Sequence, residues 1–131
     1  MKKEKTILVV EDEKPLLGAI RISLEKHGFN VITARNVDKA KERLLEASEV
    51  NAIWIDHYLL GKESGLDFVF WCKEKTEEHN KIPIFLVSNT ASSDKIKTYL
   101  AFGINKYYIK AEKRLDDIIG EIKDFLEKEE K

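Results

Sequence analysis

Glu11-Asp12-Glu13 and Asp56 are the side chains best placed to do chemistry together in this 131-residue chain. Each acid closes an apolar run: Thr6-Ile-Leu-Val-Val10 precedes the triplet, and Asn51-Ala-Ile-Trp-Ile55 precedes Asp56. Runs rich in Val and Ile that do not alternate with polar residues suit neighbouring parallel strands covered on both faces. Such strands release their C-terminal residues at one edge of the sheet, where open α/β sheets build their sites. Carboxylates converging there repel one another and raise the pKa of at least one, unless a cation joins them. Oxygen-only ligands favour Mg²⁺ or Ca²⁺ over zinc. The spacing therefore predicts an acidic divalent-metal pocket centred on Asp56.

Two more polar residues close apolar runs further along. Ile84-Phe-Leu-Val87 leads to Ser88, and Tyr107-Tyr108-Ile109 leads to Lys110. If these runs are strands of the same sheet, Ser88 and Lys110 open onto the edge that carries the acids. A metal to neutralise oxygens, a mobile ammonium and a neutral hydroxyl donor are the groups that phosphoryl transfer needs around the moving phosphorus. Asp56 would then be the nucleophile, since a carboxylate can attack once the incoming phosphoryl charge is neutralised.

The elements that must position these groups alternate along the chain. Strands are expected at 5–10, 30–34, 51–55, 82–87 and 105–109. Between them the apolar period lengthens to that of a helix. Pro15, Leu16, Leu17, Ile20 and Leu24 begin a first helix that stops near Gly28, a good left-handed cap. Asn36 caps a second, with Val37, Ala40, Leu44 and Ala47 on one face. Ser64-Gly-Leu-Asp67 opens a third as a capping-box variant. The fourth carries Ile96, Tyr99 and Leu100 and ends at Gly103. The fifth has an apolar stripe from Leu115 to Leu126 opposite a Lys/Glu face, with fraying expected at Glu127–Lys131. Alternating strands and helices joined by right-handed crossovers imply a doubly wound parallel sheet. The first and third strands are the most apolar and belong inside, which gives the five-stranded order 2-1-3-4-5 of a flavodoxin-like (βα)5 fold. Its switch point falls between Asp12 and Asp56.

Residues 1–131 fit one domain. A formal net charge of −1 gives no global pull toward nucleic acid or an anionic membrane. Charged residues make up 36% of the chain, most of them Lys and Glu, which leans toward a heat-tolerant source or simply a soluble surface. The single cysteine, Cys72, forms no internal disulfide and sits in an apolar helix, where packing is the expected role. No stretch approaches the ~20 apolar residues of a membrane span, and no apolar leader opens the chain. A cytoplasmic location is expected.

Taken together, Val9-Val-Glu-Asp-Glu13, Asp56, Ser88 and Lys110, each at the end of the appropriate strand, resemble the receiver domain of bacterial response regulators, including the single-domain chemotaxis and phosphorelay proteins. The resemblance covers essentially the whole chain. It implies a two-component signalling switch, phosphorylated on Asp56 by a histidine kinase or phosphotransfer protein, with a downstream protein as target. It further implies that Glu11, Asp12, Asp56 and the backbone carbonyl of Tyr58 hold Mg²⁺. Ser88 would follow the phosphoryl group, Lys110 would pair with it, and Tyr107 would turn as Ser88 shifts. The chain would assist its own phosphotransfer and slow dephosphorylation rather than turn over a substrate. A phosphorylation-dependent homodimer through helix four, strand five and helix five fits the same picture.

Three places depart from the family pattern. Leu60 and Ser64 stand where proline and glycine are usual, with Gly61 and Gly65 nearby, so the loop after Asp56 looks one residue longer. Asn89 follows Ser88 in place of a small residue, and there it can crowd the phosphoryl or hydrogen-bond to it. Ala111 replaces the usual proline after Lys110. The Lys110–Ala111 bond is expected to be trans, because cis costs ~2.5–4 kcal/mol before a non-proline residue, and Lys110 is expected to be held less rigidly as a result. These departures keep a degenerate, phosphorylation-independent binding module as one alternative. A small phosphatase of the haloacid dehalogenase type is another, although that family wants Asp-x-Asp after its first strand. His57 is expected to face solvent, and Phe70 and Trp71 to add burial or form a partner-facing patch.

Overall fold

The computed structural model describes residues 4–89 and 92–129. Strands β1 (Thr6–Val10), β2 (Asn30–Ala34), β3 (Ala52–Ile55), β4 (Ile84–Ser88) and β5 (Lys106–Ile109) alternate with five helices. These are α1 (Lys14–Lys26), α2 (Val37–Glu46), α3 (Gly65–Glu74), α4 (Ser93–Ala101) and α5 (Leu115–Glu129). The strands form one parallel sheet in the order β2-β1-β3-β4-β5, as the sequence implies.

The two-sided cover that makes the strands continuously apolar is evident in the core. Leu8, Val10, Ile53, Ile55 and Leu86 point to the side of α2, α3 and α4, where they meet Leu44, Phe68 and Tyr99. Ile7, Val9, Trp54, Phe85 and Val87 point the other way, onto Ile20 and Leu24 of α1 and Ile118 and Ile122 of α5. Alternate side chains of the inner strands β1, β3 and β4 thus serve opposite cores, while the edge strands β2 and β5 keep exposed positions such as Asn30 and Lys106.

Strand boundaries differ slightly from expectation, for physical reasons. Asn51 brackets β1 from outside: its Oδ1 accepts the Thr6 N–H at 2.8 Å. Asn105 does the same for Ile84 N–H at 2.9 Å. Both were expected inside strands and instead stand just before them. β4 starts at Ile84 and not at 82 because Pro83 has no N–H to donate, although its carbonyl still accepts from Ile53. Ser88 is the last residue of β4 and not the first of the loop.

Helix ends follow their sequence signals. Gly28 and Gly103 take positive φ of 90° and 99° after α1 and α4. Asn36 Oδ1 accepts the Lys39 N–H at 2.8 Å, and the Ser64 N–H and hydroxyl both donate to Asp67 Oδ2, at 2.8 and 3.3 Å. Ala47 lies just past the end of α2 as its C-cap. Leu100 projects outward, 46% exposed. Glu127–Glu129, expected to fray, remain helical; residues 130 and 131 lie outside the described part. Phe70 and Trp71 divide the two roles expected of them. Trp71 stacks on Phe68 at 5.9 Å, while Phe70 stays partly exposed against Phe102. Cys72 is fully buried, and burial pushes its thiol up to about 12, so it is inert packing.

Candidate functional site

The C-terminal ends of β1, β3, β4 and β5 gather the expected residues. Asp56 N–H donates to Val10 O at 3.1 Å, which sets the start of the β3–α3 loop directly beside the end of β1. Glu11 N–H donates to Ala34 O at 3.0 Å and anchors the acidic triplet against β2. Carboxylate oxygens of Glu11, Asp12 and Asp56 all come within 4.8 Å of one another. Glu11 and Asp56 are buried, and Asp12 is half-buried. Glu13 is exposed and stands at the N-cap position of α1 without a side-chain capping bond, while its N–H donates to Glu11 Oε2 at 3.2 Å.

Lys110 reaches into this cluster from the end of β5. Its Nζ donates to Glu11 Oε1 at 2.6 Å and to Asp56 Oδ2 at 2.8 Å. Burial works to lower the Lys110 pKa, but its hydrogen bonds to the two carboxylates outweigh that and hold it above the ordinary lysine range. Burial pushes the Glu11 carboxyl up to about 7 and the nearby Asp56 charge adds to the rise, while the bond from Lys110 opposes it. One ammonium thus faces three carboxylates and leaves an excess of negative charge in a mostly buried pocket. An all-oxygen donor set with excess negative charge fits a hard divalent cation. Ser88 is buried at the end of β4, two positions past Leu86, the register partner of Ile55.

The Lys110–Ala111 bond is trans, as expected; no peptide among the described residues is cis. Lys110 is not loosely held, however, and that expectation is corrected. Its side chain is only 18% exposed, and both neighbouring amides are anchored. Lys110 N–H donates to Ser88 O at 3.1 Å, and Ala111 N–H to Asn89 Oδ1 at 3.0 Å. Asn89 therefore turns toward β5. At Tyr58 the backbone contact observed is its amide, which donates to Asp56 Oδ1 at 3.4 Å. Tyr107 is 39% exposed on the edge strand β5, whereas Tyr108 is buried and donates to Glu121.

Several residues of the site carry no signal that a short window of sequence could reveal. Arg35, just past β2, donates twice to Asp12 O, at 3.0 and 2.7 Å, and holds the acidic loop in place. His57, expected to face solvent, is half-buried. Its Nδ1 lies 2.6 Å from the hydroxyl of fully buried Tyr99 on α4. Burial lowers the His57 pKa and raises that of Tyr99, which favours the neutral form of both partners in this hydrogen bond. Gly65 makes this junction feasible, because a Cβ there would sit 2.4 Å from Asp56 O and 2.9 Å from the Tyr99 hydroxyl. The lengthened loop turns at Gly61, with φ 91°, and Leu60 bridges to Asn36.

Comparison with known proteins agrees with this geometry. Residues 7–123 match the response regulator receiver domain. The chain is 30% identical over 107 residues to the transcriptional regulatory protein YvrH of Bacillus subtilis (strain 168), covering 80% of this chain and 42% of YvrH. It is 31% identical over 104 residues to the phosphate regulon transcriptional regulatory protein PhoB of Rhizobium meliloti (strain 1021), covering 79% of this chain and 44% of PhoB. It therefore spans less than half the length of these relatives. The phosphorylated cyanobacterial phytochrome response regulator RcpA has the same fold, with a TM-score of 0.84 at 25% identity, covering 95% of this chain and 94% of RcpA. The chain belongs to the response regulator receiver domain family of two-component systems.

Proposed function

We propose that the chain is a phosphorylation switch in which Asp56 accepts a phosphoryl group from the phosphohistidine of a histidine kinase or phosphotransfer protein. The observation that carries this is the Lys110 ammonium, which bridges Glu11 Oε1 and Asp56 Oδ2 at 2.6 and 2.8 Å in an acid cluster with room for more positive charge. Asp56 attacks phosphorus as the donor's P–N bond breaks, and the bonding pair leaves with the imidazole. Lys110, already bonded to Asp56, turns from carboxylate to phosphoryl oxygen and neutralises the charge that arrives. Ser88 donates its hydroxyl to a second oxygen. Hydrolysis of the acyl phosphate then restores Asp56, so the chain assists its own resetting without turning over a substrate.

Glu11, Asp12, Asp56 and the Tyr58 carbonyl would hold Mg²⁺, which supplies charge neutralisation at the phosphoryl oxygens. The buried oxygen donors support a cation of this class. The signal passes to a downstream protein through the face of α4, β5 and α5, where Tyr107 and Leu100 are exposed, and a phosphorylation-dependent homodimer would use that same face. Among the described residues, no helix is long and apolar enough to cross a membrane. Nor does this domain's balanced charge suit direct contact with nucleic acid. A cytoplasmic location follows from the same role. The phosphatase alternative lacks support, since the nucleophile follows β3 and the family match is to receivers. The degenerate-module alternative fares no better, because every expected charged group is present.

Incubation with acetyl phosphate and Mg²⁺ should add one phosphoryl mass to the wild-type chain and none to Asp56→Asn. Undiminished labelling of Asp56→Asn would sink the assignment.

A further inference from the structure

Two departures from the receiver pattern meet in space. Asn89 follows Ser88 where a small residue is usual, Ala111 follows Lys110 where proline is usual, and Asn89 Oδ1 accepts the Ala111 N–H at 3.0 Å. One residue earlier, the Lys110 N–H donates to Ser88 O at 3.1 Å. The two peptide units that flank the Lys110 Cα are therefore both tied to residues 88 and 89. That fixes φ and ψ at Lys110 and with them the direction in which its side chain leaves the backbone. A proline at 111 would have no N–H to give, so the Asn89 contact exists only because proline is absent. Asn is also neutral, so it makes this bond without adding negative charge beside an incoming phosphoryl group.

We infer that Asn89 is a positioning residue for Lys110, acting through the Ala111 amide to aim the Lys110 ammonium at the oxygens of Asp56. The functional consequence rests on Asp56 being the phosphoacceptor, whereas the clamp itself does not. Asn89 is exposed, so replacing it leaves the core undisturbed.

The test measures phosphorylation by acetyl phosphate with Mg²⁺ in wild type, Asn89→Ala, Ala111→Pro and the double variant, with intact mass giving the rate constant at saturating donor. Asn89→Ala should slow this rate by about fivefold, the weight of one hydrogen bond, and leave the half-saturating donor concentration unchanged. Ala111→Pro should add nothing further in the Asn89→Ala background. An unchanged Asn89→Ala rate, or effects that multiply in the double variant, would overturn the proposal. Because proline can disturb the loop on its own, amide hydrogen exchange at Ala111 supplies a second reading in the unphosphorylated protein. Protection should be lost in Asn89→Ala and kept in Asn89→Asp, which retains Oδ1. Equal exchange in all three proteins would overturn the clamp. If even the wild type takes up no phosphoryl group, the phosphoacceptor reading fails, while exchange at Ala111 still decides the role of Asn89.

Discussion

Gly65 packs closely against the backbone carbonyl of Asp56 and the hydroxyl of Tyr99, which in turn lies 2.6 Å from His57 Nδ1. A Cβ at position 65 would meet Asp56 O at 2.4 Å, a backbone atom that cannot swing aside. Gly65→Ala should therefore cost about 1–3 kcal/mol, as overpacking does, and should also shift the Asp56 carboxylate. Urea unfolding checks the first effect, and the rate of phosphoryl uptake checks the second. The acids, Ser88 and Lys110 were legible in the sequence because each closes an apolar run, and a parallel sheet brings such ends together. His57 was not legible, since its partner Tyr99 lies 42 positions away on a helix whose docking depends on the whole fold. Gly65 showed only as an irregular spacing. Its reason, the close approach of α3 to Asp56, is tertiary.

Elements were read well where one local rule governs them. The caps at Gly28, Asn36 and Ser64 follow from backbone chemistry alone, whereas Asn51 and Asn105 could be placed only once their partner strands were known. Helix α5 offers two measurements. Gly120 has open space around its Cβ position, so Gly120→Ala should raise stability by about 0.5–1 kcal/mol through helix propensity, read by thermal or urea melts. Its neighbour Glu121 ties α5 to β5 and the loop between them. It accepts from Lys106 at 2.6 Å and from Tyr108, and it pairs with Lys113. The hydrogen bonds from Lys106 and Lys113 lower its carboxyl to about 2, from an ordinary 4.5. A depressed folded-state pKa means that the stabilisation is fully present above pH 4.5 and fades as pH falls toward about 2. The gap in melting temperature between wild type and Glu121→Gln should therefore close over that window. A gap that stays constant would show that the ion pairs contribute nothing.

Over the whole molecule, the strand order 2-1-3-4-5 sends the ends of β1, β3, β4 and β5 to one edge, which is where the candidate site residues meet. That much followed from alternation and from the two most apolar strands. The ionic arrangement did not, because burial of Glu11 and the grip of Lys110 on both carboxylates depend on how far the loops fold over the edge. The same folding leaves the pocket with surplus negative charge, which is the reason to expect that phosphorylation waits on a divalent cation. The central claim, Mg²⁺-dependent phosphorylation of Asp56, is tested most directly by trapping the acyl phosphate where it forms. After incubation with acetyl phosphate, borohydride reduction converts a phosphorylated aspartate to homoserine, and peptide mass spectrometry locates it. Homoserine at position 56 alone, formed with Mg²⁺ and absent when the cation is chelated, is the predicted result. Reduction at another carboxylate, or equal yield at position 56 without the metal, would contradict it.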